Sequence, residues 1–171
     1  MQLDALFEKT INSFKTEVVK LYERRSIVPC LMLLYSFIDI LAWLRYKEKF
    51  KKVEYRYINF VDEYFLPESK LTCSADDIYS ARCGILHRYS SESNKTESGK
   101  AKRIYYIASD KEGDSSKSVI PEPTEDVIQL KIEDMISAFE NSIEKLLDHM
   151  RNDPYLEIEI EERSRDWLVT W

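Results

Sequence analysis

At 171 residues, 44% of them hydrophobic and 33% charged, the chain suits one domain with its own core and has the composition of an ordinary globular protein. Its three cysteines (Cys30, Cys73, Cys83) are odd in number and lie in or near apolar segments, which argues against a disulfide scaffold and for reduced thiols in a cytoplasmic setting. A net charge of −6 argues against indiscriminate binding of polyanions.

Met1–Lys9 carries acids and no apolar run, so no cleavable signal is expected there. Leu3, Leu6, Phe7, Ile11, Phe14, Val18, Leu21 and Tyr22 recur at helical spacing and predict an amphipathic helix over 3–22. Arg24-Arg25-Ser26 interrupts it, and Pro29 is tolerable in the first turn of a second helix over 28–46. That helix is apolar nearly all round and should be central. Asp39 within it speaks against a membrane span at 27–44, because an ionisable group at bilayer depth is costly. Buried, the carboxylate must find a cation or donors, or take up a proton. Arg82 or His87 is the expected partner, the alternative being a solvent-filled groove with no partner.

Tyr57, Ile58, Val61, Tyr64 and Phe65 predict a third helix over 54–66, ended by Pro67. Ser74 followed by Asp77 reads as a capping box that starts a fourth helix at about Ala75. On this helix Ile78, Ala81, Ile85 and Tyr89 share one face with Arg82 at its margin. Tyr79, Cys83 and Leu86 widen the apolar arc, and His87 lies nearly opposite Ile78. Gly84 costs about 1 kcal/mol against alanine in mid-helix, and close approach of another helix would explain it.

Residues 90–99 read as a loop, and Arg103–Ala108 as a short strand. A polar segment with Gly113, Pro121 and Pro123 predicts a mobile loop over 110–126. Val127–Lys131 either pairs with the strand as a small hairpin or begins the next helix. Met135, Ile136, Phe139, Ile143, Leu146, Leu147 and Met150 predict a final helix stopped at 152–154, with His149 in a structural role in its last turn. Leu156, Ile158 and Ile160 alternate with glutamates, a strand period opening an appended segment, 155–171. Its Trp167, Leu168, Val169 and Trp171 are apolar enough to dock on the bundle or on a partner. The fold expected is mostly α, an up-and-down helical bundle with a small β addition after the fourth helix.

Charge is unevenly spread. Arg82–Arg103 and Arg45–Arg56 each hold six bases against two acids, whereas from Glu122 onward fourteen acids face five bases. A polyanion at the fourth helix would fit this distribution, with Arg88, Lys95, Lys102 and Arg103 as the substrate-binding bases. Cys83 and His87 lack a third and fourth metal ligand, so no metal is expected. No Gly-rich phosphate loop or Gly-x-Ser-x-Gly elbow occurs, and no cofactor is implied.

Arg82-Cys-Gly-Ile-Leu-His87 resembles the Arg, four-to-six residues, His signature of the HEPN superfamily, and the surrounding DDIYSARCGILHRYSSES looks like a HEPN-like bacterial group. The resemblance covers roughly residues 1–108 and the helix near 132–151. It implies a helical bundle that dimerises, and for many members a metal-independent endoribonuclease of toxin–antitoxin, stress or phage-defence systems, restrained by an antitoxin or regulatory protein. Arg82 and His87 would then be catalytic, supported by Asp39, Cys83 and Tyr79. Ribonuclease members commonly carry Asn, Asp or His after the Arg, where this chain has Cys83. The other reading is therefore a catalytically silent module binding a nucleotide or a protein.

The chemistry asks for these groups. A ribose 2′-hydroxyl must lose a proton as it attacks phosphorus, the leaving 5′-oxygen must gain one, and an imidazole can serve either step. A guanidinium fork stabilises the phosphoryl oxygens. Five residues along a helix are about 140° of rotation and ~7.5 Å of rise, so Arg82 and His87 are not expected to converge within one chain. Two copies across a two-fold axis would bring them together.

Overall fold

The computed structural model describes residues 5–90, 92–109 and 122–167, with side chains described from residue 7 to residue 165 of these. Most of the expected loop at 110–126 and Leu168, Val169 and Trp171 of the tail lie outside the described residues, as does the side chain of Trp167.

The core is organised on α2 (Ile27–Tyr46), whose buried positions (Leu31, Leu34, Tyr35, Phe37, Ile38, Leu41 and Leu44 among them) cover more than half of its circumference, leaving Asp39, Ile40 and Trp43 on a partly exposed face. This helix is long and apolar enough to cross a membrane, but half of its most apolar window is covered by the rest of the fold. Phe37 stacks on Phe14 of α1 (Ala5–Glu23), with centroids 4.2 Å apart, and meets Phe139 of α6 (Ile132–Asn152) edge-on at 5.5 Å. Such aromatic pairs add to the area they bury.

Next, α3 (Val53–Phe60) runs into a π-helical turn, Val61–Phe65, in which Leu66 N–H reaches back to Val61 O at 2.9 Å. The helix expected over 54–66 is therefore present with its last turn widened. After it come α4 (Ala75–Arg88), the four-residue α5 (Asn94–Glu97), β1 (Arg103–Ile107), β2 (Val127–Lys131), α6 and α7 (Pro154–Trp167). The described residues are thus mostly helical, with one two-stranded sheet.

Two expectations are corrected. The strands pair in parallel, Ile104 opposite Ile128 and Tyr106 opposite Leu130, and do not form a hairpin. Alternation reports which face a residue occupies and is blind to strand direction, and residues 108–126 are long enough for the crossover that parallel strands need. Secondly, 154–167 is a helix where a strand was expected. Asp153 accepts from the Tyr155 and Leu156 N–H groups at 3.1 and 3.2 Å, an N-cap followed by proline at the first helical position. Leu156 and Ile160, four apart, are buried, and Ile158 between them is half exposed. Farther along the same helix, buried Arg163 donates to Leu44 O at 2.5 Å, which satisfies a carbonyl at the end of α2.

Candidate functional site

The site is built on α4. Its capping box is complete: Ser74 Oγ accepts from Asp77 N–H at 3.2 Å, and Asp77 Oδ2 accepts from Ser74 N–H at 2.9 Å. Asp77 Oδ1 also accepts from Lys102 N–H at 2.6 Å, tying the start of the helix to the start of β1. At the other end Tyr89 takes a left-handed conformation (φ 52°) and is exposed, not buried beside Ile78, Ala81 and Ile85 as its spacing predicts. The reversal returns the chain across Gly84. A Cβ there would lie 2.5 Å from Ser90 O and 2.8 Å from Glu92 O. The close approach inferred from Gly84 is real, but the neighbour is this chain's own next segment and not another helix. A Ser80–Ser93 hydroxyl contact of 2.5 Å pins that segment down.

Arg82 projects from α4 onto α2, where its Nε donates to Asp39 Oδ2 at 2.7 Å and its Nη2 reaches the same oxygen. Burial pushes the Asp39 carboxyl above the usual carboxylate range, against the pull of Arg82. Burial also works against the Arg82 charge, but Asp39 outweighs it and keeps the guanidinium cationic. The remaining fork nitrogen, Nη1, lies 3.2 Å from Nε2 of His87, which is exposed, and 3.8 Å from Cys83 Sγ. Here the geometric expectation fails. The five-residue offset separates the Cα positions, but the arginine side chain spans the gap, so guanidinium and imidazole meet within one chain.

Beneath the pair, the hydroxyl of fully buried Tyr57 has no hydrogen-bond partner among the described residues. Its ring faces that of Tyr79 at 5.6 Å, which places Tyr79 as packing in the wall of the site.

Two grooves flank the pair. One, of about 370 Å³, is lined by Tyr79, Ser80, Cys83, His87 and the α5 residues Asn94 and Lys95. The other, of about 480 Å³, lies toward α2 and α3, with Ile40, Ala42, Trp43 and Val53 as apolar walls and Asp39, Arg56 and Arg82 as the charged groups.

The bases expected to bind substrate are mostly engaged. Arg88 binds Glu97 at 2.7 Å and also Asn94. Lys95 binds Asp76 at 2.5 Å and Glu54 at 2.6 Å, 5.1 Å above the Tyr79 ring. Arg103 binds Glu92, and Lys102 is exposed. The other basic stretch differs. Lys47, Lys49 and Lys52 lie over Trp43, Tyr46, Phe50 and Tyr55 rings at 5.1 to 5.7 Å, and Arg56 lines the larger groove with Nη1 3.4 Å from Phe50 O. Arg56 and Trp43 were missed. The signal was present as a basic run interleaved with aromatics, but only the fold shows that this run borders Asp39 and Arg82.

His149 closes a separate cluster at the π turn. Tyr64 hydroxyl accepts from Arg45 Nε at 2.9 Å and lies 2.6 Å from His149 Nδ1, while Tyr46 donates to Glu63. Among the described residues no three His, Cys, Asp or Glu side chains gather as a metal-ligand set. No protein-family model matches the chain, and no curated protein or solved structure matches it.

Proposed function

We propose that the chain is a metal-independent endoribonuclease of HEPN type. The observation that carries this reading is the 3.2 Å approach of Arg82 Nη1 to His87 Nε2 at the mouth of two grooves, with the rest of the guanidinium anchored on Asp39. A scissile phosphate seated there accepts from Arg82, and His87 exchanges a proton with the ribose 2′-hydroxyl or the leaving 5′-oxygen. The 2′-oxygen–phosphorus bond forms as the 5′-oxygen–phosphorus bond breaks, leaving a 2′,3′-cyclic phosphate and a 5′-hydroxyl. The two proton transfers call for two carriers, and each chain offers one imidazole at this place. A homodimer that faces two copies of the site supplies both. A toxin, stress or phage-defence role in the cytoplasm, under an antitoxin or regulatory protein, is what the family resemblance adds.

One observation favours a second reading, a silent nucleotide- or protein-binding module. Arg82 is already neutralised by Asp39, and Arg88, Lys95 and Arg103 are held by carboxylates. Incubating the purified chain with mixed single-stranded RNA in EDTA separates the two. Cleavage to cyclic-phosphate ends that disappears in His87→Ala and Arg82→Ala supports the enzyme. Persistent inactivity, after any co-purifying partner has been stripped off, supports the module.

A further inference from the structure

The groove between α2 and α3 is an unusual surface: apolar walls from Ile40, Ala42, Trp43 and Val53 enclose one carboxylate and two guanidiniums. Both donors from Arg82 go to Oδ2 of Asp39. Oδ1 of the same carboxylate, on a groove-lining residue, has no donor among the described residues. A half-buried carboxylate oxygen of this kind recognises a donor group, and apolar walls holding an indole recognise a flat ring. Arg56 and the lysines over the neighbouring aromatic rings make the rim positive, with Arg56 near enough to act on the Asp39 carboxyl.

We infer that this groove is a nucleobase subsite for single-stranded RNA, next to the phosphate at Arg82 and His87, and that Asp39 makes it choose cytosine over uracil. The inference rests on the ribonuclease reading for the identity of the polymer, while the base preference comes from the groove itself. Cytosine presents its N4 amino group, a donor that carboxylates accept from; uracil presents O4, an acceptor, at the same position. The two rings are nearly the same size, so the discrimination reports the hydrogen bond and not the fit. Arg56 then sits where it can neutralise the next phosphate along the strand, and the strand leaves over α3 and not over α5, whose one base, Lys95, is held by Glu54 and Asp76.

The test uses the full chain and short single-stranded RNAs that differ only by C or U at one position. Binding is measured with 2′-O-methyl oligomers, which cannot be cleaved by this chemistry, and cleavage with unmodified ones. The expected result is about tenfold tighter binding of the C oligomer, the scale of one hydrogen bond to a charged group. Val53→Phe, which fills the groove, removes that preference, and Arg56→Gln weakens both oligomers alike. Equal binding of C and U overturns the subsite, and His87-dependent cleavage in the same samples shows that the ribonuclease reading stands without it. A preference for C with no cleavage of any RNA keeps the subsite and turns the protein into a binding module. Failure to bind either oligomer sinks the subsite, and absence of cleavage then sinks the enzyme as well. Cytidine monophosphate, uridine monophosphate and inorganic phosphate are titrated in parallel against the Trp43 indole signal, assigned with Trp43→Phe. A shift with the cytidine nucleotide alone supports the subsite; an equal shift with phosphate contradicts it.

Discussion

Two clusters in this molecule are built from the same kinds of side chain and end differently. Arg82, Asp39 and His87 come from α4 and α2; Arg45, Glu63, Tyr64 and His149 come from α2, the π turn and α6. In the second, Tyr64 hydroxyl stands between Arg45 and His149, Arg45 lies 3.6 Å from Glu63, and Glu63 accepts from the Tyr46 hydroxyl. Burial raises the Glu63 pKa, but the two tyrosines and Arg45 more than reverse it, so the carboxylate is held below its usual range. In the first, Arg82 Nη1 faces only a histidine nitrogen and a sulphur, and grooves open on both sides. Residue types do not separate an open site from a structural knot. Unspent hydrogen-bonding capacity beside open space does.

The sharpest way to break this contrast is a pair of histidine substitutions. His87→Ala is expected to lower RNA cleavage ~10²–10⁴-fold with little change in the urea midpoint. His149→Ala is expected to leave cleavage per folded molecule unaltered and to cost about 1 kcal/mol of stability by removing one of the two partners of the Tyr64 hydroxyl, Arg45 remaining. If the two variants exchange behaviours, the wrong cluster has been assigned to catalysis.

Gly84→Ala comes next in size, with an expected loss of about 2–3 kcal/mol in urea unfolding, because its methyl group meets backbone oxygens at 2.5 and 2.8 Å and neither is a flexible chain end. An unperturbed midpoint would mean that Ser90 and Glu92 do not pack on α4 as described. Glu133 offers a smaller effect that depends on pH. Burial raises its pKa, yet Ser109 and Tyr22, donating to Oε1, bring it down to about 2. The folded state therefore binds its proton less readily than the unfolded chain, and the stability this gives is present above about pH 4.5 and lost as the pH falls toward 2. Glu133→Gln should flatten that part of the stability profile; a variant that keeps the wild-type slope between those values contradicts the assignment. Tyr57→Phe is the mildest test. Deleting a buried hydroxyl with no partner should raise stability by up to ~1 kcal/mol, and a loss instead would reveal a partner beneath the Asp39–Arg82 pair.

Much of the site could be read before the fold. The Ser74–Asp77 box placed the start of α4 at Ala75. The cost of burying Asp39 in an apolar helix pointed to Arg82 across 43 positions of sequence, and that pair is present. The partners of the basic stretches were less legible. Counting charges along Arg82–Arg103 could not reveal that Glu54 and Asp76 converge on Lys95, or that Arg56 faces Arg82 across a groove. In the tail, three alternating apolar residues outweighed the Asp153-Pro154 start signal, although a spacing of four between Leu156 and Ile160 serves a helix equally well.

The sequence by itself determined where α1, α2, α4 and α6 lie and that a charge inside α2 must be answered, because periodicity and desolvation cost belong to a segment and its own residues. Strand direction, the reach of Arg82 to His87, and the choice of which basic stretch stays open were decided only in three dimensions. Each is a competition among partners far apart in the chain, and packing alone determines which of them arrives within hydrogen-bonding distance.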